Sequence, residues 1–368
     1  MTDVLIFADS VVSPEMRHEV PVLVPDPFLY AEKEDGRRLT ASTSFEVDRI
    51  AEAGIEAHPW EEFGYDDLIG KGMSRDEIVW LHINLNACRA FGIEEAIVPR
   101  SFPALVADHL RENGITLRPD YKFFADRRRV KTEAEIAGIR RAQLAADEAM
   151  GIAARMIREQ AGVTSEQVRA AMQEACDARG CDLPDDVIVS HGPQGAIGHE
   201  AGHGEIGAGE PVIVDIWPRD RDSRCWADMA RTFVGGGAEP PAEIAEWWSL
   251  TREALQRSFA AVRAGADGRE VYGASCEPFE QAGVLTQRSK PAGQKLDEGY
   301  YHSLGHGVGL EVHERPGLGR TPDALIAGDV ITLEPGCYRK DIGGVRLEDL
   351  VIVTEDGAEL LTDFPYDL

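Results

Sequence analysis

Four acidic residues and one histidine in the second half of the 368-residue sequence have the types expected of ligands for a hard divalent cation. Three of the acids stand in or at the end of strand-like apolar runs, where a charged side chain is rarely buried unless it is paired or binds metal. Such an oxygen-rich set suits Mn²⁺, Co²⁺, Fe²⁺ or Zn²⁺. Two bound ions activate water and polarise a carbonyl, so the chemistry indicated is hydrolysis. The five residues are Asp215, Asp228, His306, Glu334 and Glu348.

The two aspartates are expected to meet across a β-hairpin. Asp215 ends the β-branched run 212–214, and Asp228 opens a second strand-like segment after a polar turn. Facing carboxylates repel each other, so a cation is expected between them. Taken alone, the pair has a plainer explanation, because Asp228 would pair with Arg231 or either aspartate would cap a turn. The complete set of five residues favours the metal site.

The segment His199-Glu200-Ala201-Gly202-His203 matches the HExxH pattern, in which a helix presents two histidines to zinc. Glycines surround and interrupt it, and each glycine inside a helix costs about 1 kcal/mol. The segment is therefore predicted to be a loop. A zinc protease with one zinc per chain remains an alternative.

These motifs resemble the pita-bread metallopeptidase family, M24, which includes methionine aminopeptidase, aminopeptidase P and prolidase. His306 in Gly305-His306-Gly307, Glu334 in Glu334-Pro335-Gly336 and Glu348 in 346–349 are similar to family ligands, as are the two aspartates. All five ligands are present, which separates the chain from creatinase, a relative in fold that lacks the metal site. The resemblance covers about residues 127–365 and implies two divalent ions, with Mn²⁺ the first choice.

The resemblance favours the prolidase and aminopeptidase P branch, because a smaller domain precedes the catalytic one. It implies cleavage of the Xaa-Pro bond at the N-terminus of a dipeptide or a longer peptide. By the same resemblance, Glu334 accepts the proton of the attacking water, and His199 and His313 support the oxyanion and the departing nitrogen. His302 and Arg346 are placed beside the substrate. A structural hydrogen bond explains His302 equally well, and ordering of the neighbouring acids is the favoured role of Arg346.

Two departures from the family pattern concern the hairpin. The turn 218–224 is longer than the family pattern, and Trp217 stands where the family usually has glycine. A longer loop and a bulky ring beside the metals are expected to narrow or reshape the substrate pocket.

The elements that must position these residues indicate two domains and an α+β catalytic fold. Residues 1–126 form a smaller α/β domain similar to the N-terminal domain of prolidase and creatinase, and residues 127–368 form the pita-bread domain, with helices packed on an antiparallel sheet. In the first domain, strands are predicted at 4–8 and 94–99 and helices near 43–53 and 103–112. In the second, an amphipathic helix includes 136–157, further helices begin at 164 and span about 241–263 and 268–282, and strands are predicted at 187–190, 211–216, 330–334 and 344–353.

The formal net charge of −27 argues against nucleic acid or an anionic membrane as a partner. Arg127, Arg128 and Arg129 are accordingly predicted to be a solvated start of the long helix. No apolar run is long enough to span a membrane, and the first residues lack the positive charge of a signal peptide. Six cysteines without CxxC spacing suggest reduced thiols and a cytoplasmic location. The resemblance also implies a homodimer.

Two other functions are compatible with the sequence. A non-peptidase hydrolase or lyase of the same fold, acting on a small amine or sulfonium compound, would follow if the hairpin excluded peptides. A non-catalytic binding protein is the other, although it has little reason to keep four acids that repel one another.

Overall fold

The computed structural model describes residues 2–368, which divide into one unit up to Arg128 and a second from Arg129 to Leu368. The strands of the first unit are β1 (Asp3–Ala8), β2 (Phe28–Glu32), β3 (Arg38–Ser42), β4 (Glu56–Pro59), β5 (Glu95–Val98) and β6 (Thr116–Pro119). Its helices are α1 (Pro14–Glu19), α2 (Val47–Glu52), α3 (Tyr65–Gly70), α4 (Arg75–Glu77), α5 (Asn84–Ala90), α6 (Ala104–Glu112) and α7 (Tyr121–Arg129), with a π-helical turn at Ile78–Ile83.

The first unit is built on one mixed sheet with the strand order β4-β3-β2-β1-β5-β6. Successive residues of β1 point to opposite faces, so Leu5 and Phe7 enter one apolar core while Val4 and Ile6 enter another. Both faces of the sheet are therefore covered. The strands predicted at 4–8 and 94–99 are present as β1 and β5.

The second unit contains four long helices, α8 (Glu133–Glu159), α9 (Ser165–Ala178), α10 (Ala242–Ala261) and α11 (Gly268–Gln281). Its strands are β7 (Cys181–Asp182), β8 (Ile188–His191), β9 (Pro211–Ile216), β10 (Arg219–Asp220), β11 (Met229–Val234), β12 (Gly305–Gly307), β13 (Glu314–Leu318), β14 (Val330–Leu333), β15 (Gly336–Arg339), β16 (Gly343–Arg346), β17 (Asp349–Val353) and β18 (Ala358–Leu360).

All the named strand pairs of the second unit are antiparallel. One sheet has the order β11-β9-β8, and another has the order β13-β12-β14-β17-β18. A single bridge between Ala230 and Glu348 connects them. Helices α8 and α9 share a core with the first sheet, and α10 and α11 share one with the second. This is the predicted α+β arrangement.

Helix α8 begins at a capping box, in which the Thr132 side chain accepts from the Glu135 amide and the Glu135 side chain accepts from the Thr132 amide. The predicted apolar stripe is fully buried at Ile139, Ala146 and Ile157. Small alanines in this stripe let the helix pack closely on β9 and β11. The structure thus confirms the helix predicted from its periodicity.

Two local predictions were wrong, and both concern charged residues. The single strand predicted at 344–353 is interrupted at Leu347 and Glu348, because the Glu348 amide donates to the Ala230 carbonyl of the other sheet (2.9 Å). The three arginines before α8 end helix α7 instead of starting the long helix, and two of them, Arg128 and Arg129, are buried. Arg128 is 4% exposed, and Arg129 Nε donates to the fully buried Asp329 (2.9 Å).

Along residues 2–368, no helix is both long enough and apolar enough to cross a bilayer.

Candidate metal centre

The first two candidate ligands lie on the hairpin formed by β9 and β11. These strands pair antiparallel, with Ala230 opposite Asp215 and Met229 opposite Ile216. Asp215 is the penultimate residue of β9, and Asp228 directly precedes β11. Both aspartates are buried, with 6% of the surface of Asp215 and 4% of that of Asp228 exposed. The predicted hairpin is present, and it brings both carboxylates to one end of the strands.

The other three candidates come from the second sheet and its edges. His306 is the middle residue of β12, Glu334 follows β14, and Glu348 lies between β16 and β17. The Glu334 amide donates to the Leu304 carbonyl at 2.7 Å, and the bond from the Glu348 amide to Ala230 joins the two sheets. Each acid is therefore held where its own strand ends, by a backbone bond to a neighbouring segment.

All five candidates line one cavity of about 750 Å³. Potential ligand atoms of Asp228, His306 and Glu348 lie within 4.8 Å of one another. The Nε2 atom of His306 is 3.6 Å from Glu334 Oε1 and 3.8 Å from Asp228 Oδ2. Asp215 lines the same cavity while its Oδ2 accepts from Nη1 of Arg346.

The ring of His306 has the tautomer that a metal ligand needs. Its Nδ1 lies 3.1 Å from the Gly307 carbonyl oxygen, which only accepts hydrogen bonds, so Nδ1 carries the proton. Burial lowers the pKa of His306 to about 3, so the ring is neutral near pH 7. The Nε2 lone pair is consequently directed toward the carboxylates.

The four carboxyl groups form a cluster that needs positive charge to ionise. Burial, reinforced by the charges of Asp215 and Glu334, raises the pKa of Asp228 well above its ordinary value. Burial also raises the pKa of Glu334 to about 8, and burial with the charge of Asp228 raises that of Glu348. The Oδ1 atom of Asp228 is buried and has no hydrogen-bond partner among the described residues. A divalent cation among these donors would supply both the charge and the missing partner.

Two further histidines, His199 and His313, line the cavity with exposed rings. The ring centroids of His306 and His313 are 4.2 Å apart. Burial and the nearby His199 lower the pKa of His313, which favours a neutral ring. The ring nitrogens of His199 and His313 form no hydrogen bond with a residue in the described range 2–368. Both side chains are therefore available to a substrate.

Tyr338 connects His302 with Arg346, and it is a site residue that sequence analysis missed. Its hydroxyl is 2.9 Å from Nε2 of His302 and 2.8 Å from Nε of Arg346. The Nδ1 atom of His302 is 2.7 Å from the Ser303 carbonyl, so both ring nitrogens are already engaged. An aromatic residue with a polar tip, four positions after Glu334 in a strand, was the available signal.

The HExxH segment is a loop, as predicted. His199 has a positive φ of 63° and lines the cavity. The side chain of His203 is 72% exposed and lies outside the cavity lining. The one candidate metal group among the described residues contains neither histidine. The geometry does not support a zinc site built on this motif.

The two differences from the family pattern in the hairpin, Trp217 and the longer turn 218–224, have different consequences. Trp217 lines the cavity and, like Tyr301, packs against the cluster that contains Ile188. None of the described residues 218–224 lines the cavity. The turn is held away from it, because β10 pairs with β7 and the carboxylate of Asp220 accepts from Arg141 at 2.9 and 2.7 Å. Of the two departures, the ring of Trp217 borders the cavity and the longer loop does not.

Residues 137–355 match the sequence profile of metallopeptidase family M24. The chain is 34% identical over 246 residues to a probable dipeptidase PepE of Mycobacterium tuberculosis, covering 66% of this chain and 60% of that protein. It is 32% identical over 240 residues to an Xaa-Pro dipeptidase of Pyrococcus furiosus, covering 64% of each. The chain therefore matches less than two thirds of the length of these relatives.

Solved structures share the fold along nearly the whole chain. An Xaa-Pro dipeptidase from Bacillus anthracis superposes with a TM-score of 0.81 at 24% identity, covering 100% of this chain and 94% of that one. A prolidase from Pyrococcus furiosus superposes with a TM-score of 0.79 at 23% identity, covering 99% and 97%. At these identities, the likeness establishes the fold.

Proposed function

This chain belongs to metallopeptidase family M24, and from that premise we propose that it hydrolyses the Xaa-Pro bond at the N-terminus of a dipeptide or longer peptide. The family and the pita-bread fold expected from the sequence motifs are confirmed. The names of the Pyrococcus and Bacillus relatives support the choice of substrate.

One observation carries the proposal. All nine residues assigned from the sequence to metal binding, catalysis or substrate binding line the same cavity. They come from segments separated by up to 149 positions, between His199 and Glu348, so chance proximity is a poor explanation. The cavity volume of about 750 Å³ is in the range of small-ligand sites and suits a short peptide.

The proposed cofactor is a pair of divalent cations, with Mn²⁺ the first choice and Co²⁺, Fe²⁺ or Zn²⁺ also compatible with the donors. Asp215, Asp228, His306, Glu334 and Glu348 would hold them. When bound, such a pair polarises the scissile carbonyl and lowers the pKa of water. The free Oδ1 atom of Asp228 and the Nε2 lone pair of His306 support this assignment.

The remaining roles follow from which side-chain atoms are free. Glu334 faces the cavity and is assigned to accept the proton of the attacking water. The rings of His199 and His313 are assigned to donate to the oxyanion and to the departing imino nitrogen. Arg346 holds Asp215 and Tyr338, while its Nη2 atom makes no hydrogen bond with a described residue and is available to a substrate carboxylate. His302 is assigned to border the substrate with its ring.

The test is to strip the protein with a chelator, restore Mn²⁺, and follow an Xaa-Pro dipeptide and a longer Xaa-Pro peptide by chromatography. Cleavage of the dipeptide alone would identify a dipeptidase, and cleavage of the longer peptide an aminopeptidase. No cleavage of either by protein with two bound metals would refute the peptidase function and favour a non-peptidase reaction.

A matched pair of variants tests the metal assignment separately. Asp228→Asn changes a proposed ligand and should lower the metal content, as measured by inductively coupled plasma mass spectrometry. Asp186→Asn removes the same charge from the cavity lining, outside the five proposed ligands, and should retain metal. Equal metal content in both variants would contradict the ligand set.

Location and assembly complete the proposal. The six cysteines are all free and buried, which supports a reducing, cytoplasmic location. A homodimer rests on the family resemblance. Light scattering coupled to size-exclusion chromatography would measure the assembly, and a monomer at micromolar concentration would refute it.

A further inference from the structure

A second cavity, of about 540 Å³, lies beside α11 and is lined by basic side chains. Arg269, Arg288, Lys290 and Arg320 contribute to its wall, and no acidic residue of the described chain does so. This is unusual in a protein with 65 acidic and 38 basic residues. We refer to it as the basic cavity.

Two of the four cations are neutralised by acids outside the wall. Arg269 Nη2 is 3.2 Å from Asp267 Oδ2. Arg288 forms a bidentate salt bridge with Glu280, with Nε 3.0 Å from Oε1 and Nη2 2.5 Å from Oε2. The Nη1 atom of Arg288 is not used in that pair, so the guanidinium keeps a donor.

The other two cations have no acidic partner. Lys290 Nζ donates to the carbonyl of Gln294, which leaves its charge unbalanced. Arg320 is exposed and makes no ion pair or hydrogen bond with any residue of the described range. The wall therefore carries two uncompensated positive charges.

Tyr272 contributes to the wall of the basic cavity with a side chain that is only 1% exposed. Its hydroxyl interacts with the Cys276 thiol, a weak hydrogen-bonding group. Because this hydroxyl is fully buried, the donors open to a ligand are those of the basic side chains in the wall.

We propose that the basic cavity binds a small oxyanion, such as a phosphate or carboxylate group. An oxyanion would accept from the guanidinium of Arg320 and from the unused Nη1 of Arg288, and it would balance the charge of Lys290. Guanidinium groups present paired donors that match the oxygens of these anions. The remaining wall is formed by Gln287, Pro291, Ala292 and Gly293, none of which is charged.

The position of the basic cavity links it to the metal centre. Gln287, in its wall, donates from Nε2 to the Tyr301 carbonyl at 2.7 Å. Gly319, next to Arg320, packs so closely on Ser303 that an added Cβ would lie 2.7 Å from its Oγ. Tyr301 and Ser303 line the catalytic cavity. Occupancy of the basic cavity is therefore expected to change peptidase turnover, a consequence that rests on the proposed function.

Binding is tested by calorimetric titration of the Mn²⁺-loaded protein with inorganic phosphate and, in a separate arm, with acetate. Arg320→Gln and Lys290→Gln should each weaken phosphate binding by about tenfold or more, the loss expected of a charge-assisted contact. Arg263→Gln is the matched control, because Arg263 is an exposed arginine of the same unit outside the cavity wall. It should bind as the parent does.

Equal affinity in all four proteins would overturn the proposal, since it would assign binding to the metals or to general electrostatics. Stronger binding of acetate than of phosphate would identify a carboxylate ligand. Turnover of an Xaa-Pro dipeptide at saturating phosphate is the second readout, and its response should disappear in Arg320→Gln. Intact phosphate binding without any peptidase activity would remove the proposed function and leave the oxyanion site standing.

Discussion

The hydroxyl of Tyr338 lies 2.9 Å from Nε2 of His302, and it donates to this atom because Nδ1 already carries the proton given to the Ser303 carbonyl. The same hydroxyl accepts from Nε of Arg346 at 2.8 Å. Arg346 in turn pairs with Asp215. A chain of hydrogen bonds thus extends from a proposed metal ligand to a histidine on the cavity wall.

Tyr338→Phe should lower kcat/KM for an Xaa-Pro dipeptide by about 10- to 100-fold, the usual cost of removing a partner that orients a metal-site residue. The aromatic packing is retained, so the fold should be unchanged. Tyr366→Phe is the control, because its hydroxyl donates to Asp349 and lies outside the cavity lining. Equal activity in the two variants would show that the Tyr338 link has no catalytic importance.

The metal-free protein should become less stable as pH rises. Burial raises the pKa of Glu334 from 4.5 to about 8, and those of Asp228 and Glu348 are also raised, so the folded state holds protons that the unfolded state releases. Stability contributed by these groups is present below their unfolded pKa and is lost as pH rises toward 8 and above. Thermal unfolding at pH 5.5 and 8.5 measures this loss of stability. The Tm should fall by about 2 to 4 °C for each kcal/mol of unfolding free energy that is lost.

Asp228→Asn provides the internal comparison for that measurement. Without metal, the variant should lose less stability between the two pH values than the parent, because one buried titrating group is gone. With Mn²⁺, the parent should lose less stability than the variant between the two pH values. The reason is that only the parent gains binding energy from a complete metal site. A parent whose metal-free stability rises with pH would contradict the assigned direction of the pKa shifts.

His313→Ala should reduce turnover by about 10²- to 10⁴-fold while leaving metal content unchanged, because His313 is assigned to proton transfer and not to the ligand set. Its ring makes no hydrogen bond to a described residue, so the loss of structural contacts should be small. The variant is assayed for kcat and for bound metal in the same preparation. Loss of metal would place His313 among the ligands and refute the assignment.

Trp217→Gly should broaden specificity, because the ring lines the catalytic cavity and packs against the cluster that contains Ile188. Relative kcat/KM for a bulky against a small N-terminal residue should rise by about tenfold, within the range that pocket size controls. Trp226→Ala is the control, since Trp226 packs on the core of α8 and outside the cavity wall. An unchanged ratio in Trp217→Gly would remove the ring as a specificity determinant.

The five metal-ligand candidates could be named without coordinates because each is an acid or histidine in a recognisable motif among apolar residues. The hairpin joining Asp215 and Asp228 was likewise predictable, since β-branched runs flank a polar turn. Tyr338 was not, because an aromatic residue in a strand is usually core. Its role emerges only when His302 and Arg346 are placed on either side of its hydroxyl.

The chain by itself determined the residue types of the site, the long amphipathic helix α8 and the α+β class, because these depend on composition and on periodicity along the chain. Tertiary structure decided which charges meet. It buried Arg129 against Asp329, turned the longer loop away from the cavity, and ended the predicted strand at Glu348 by a bond to Ala230. These outcomes depend on pairs that are far apart in sequence, and no local pattern encodes such pairs.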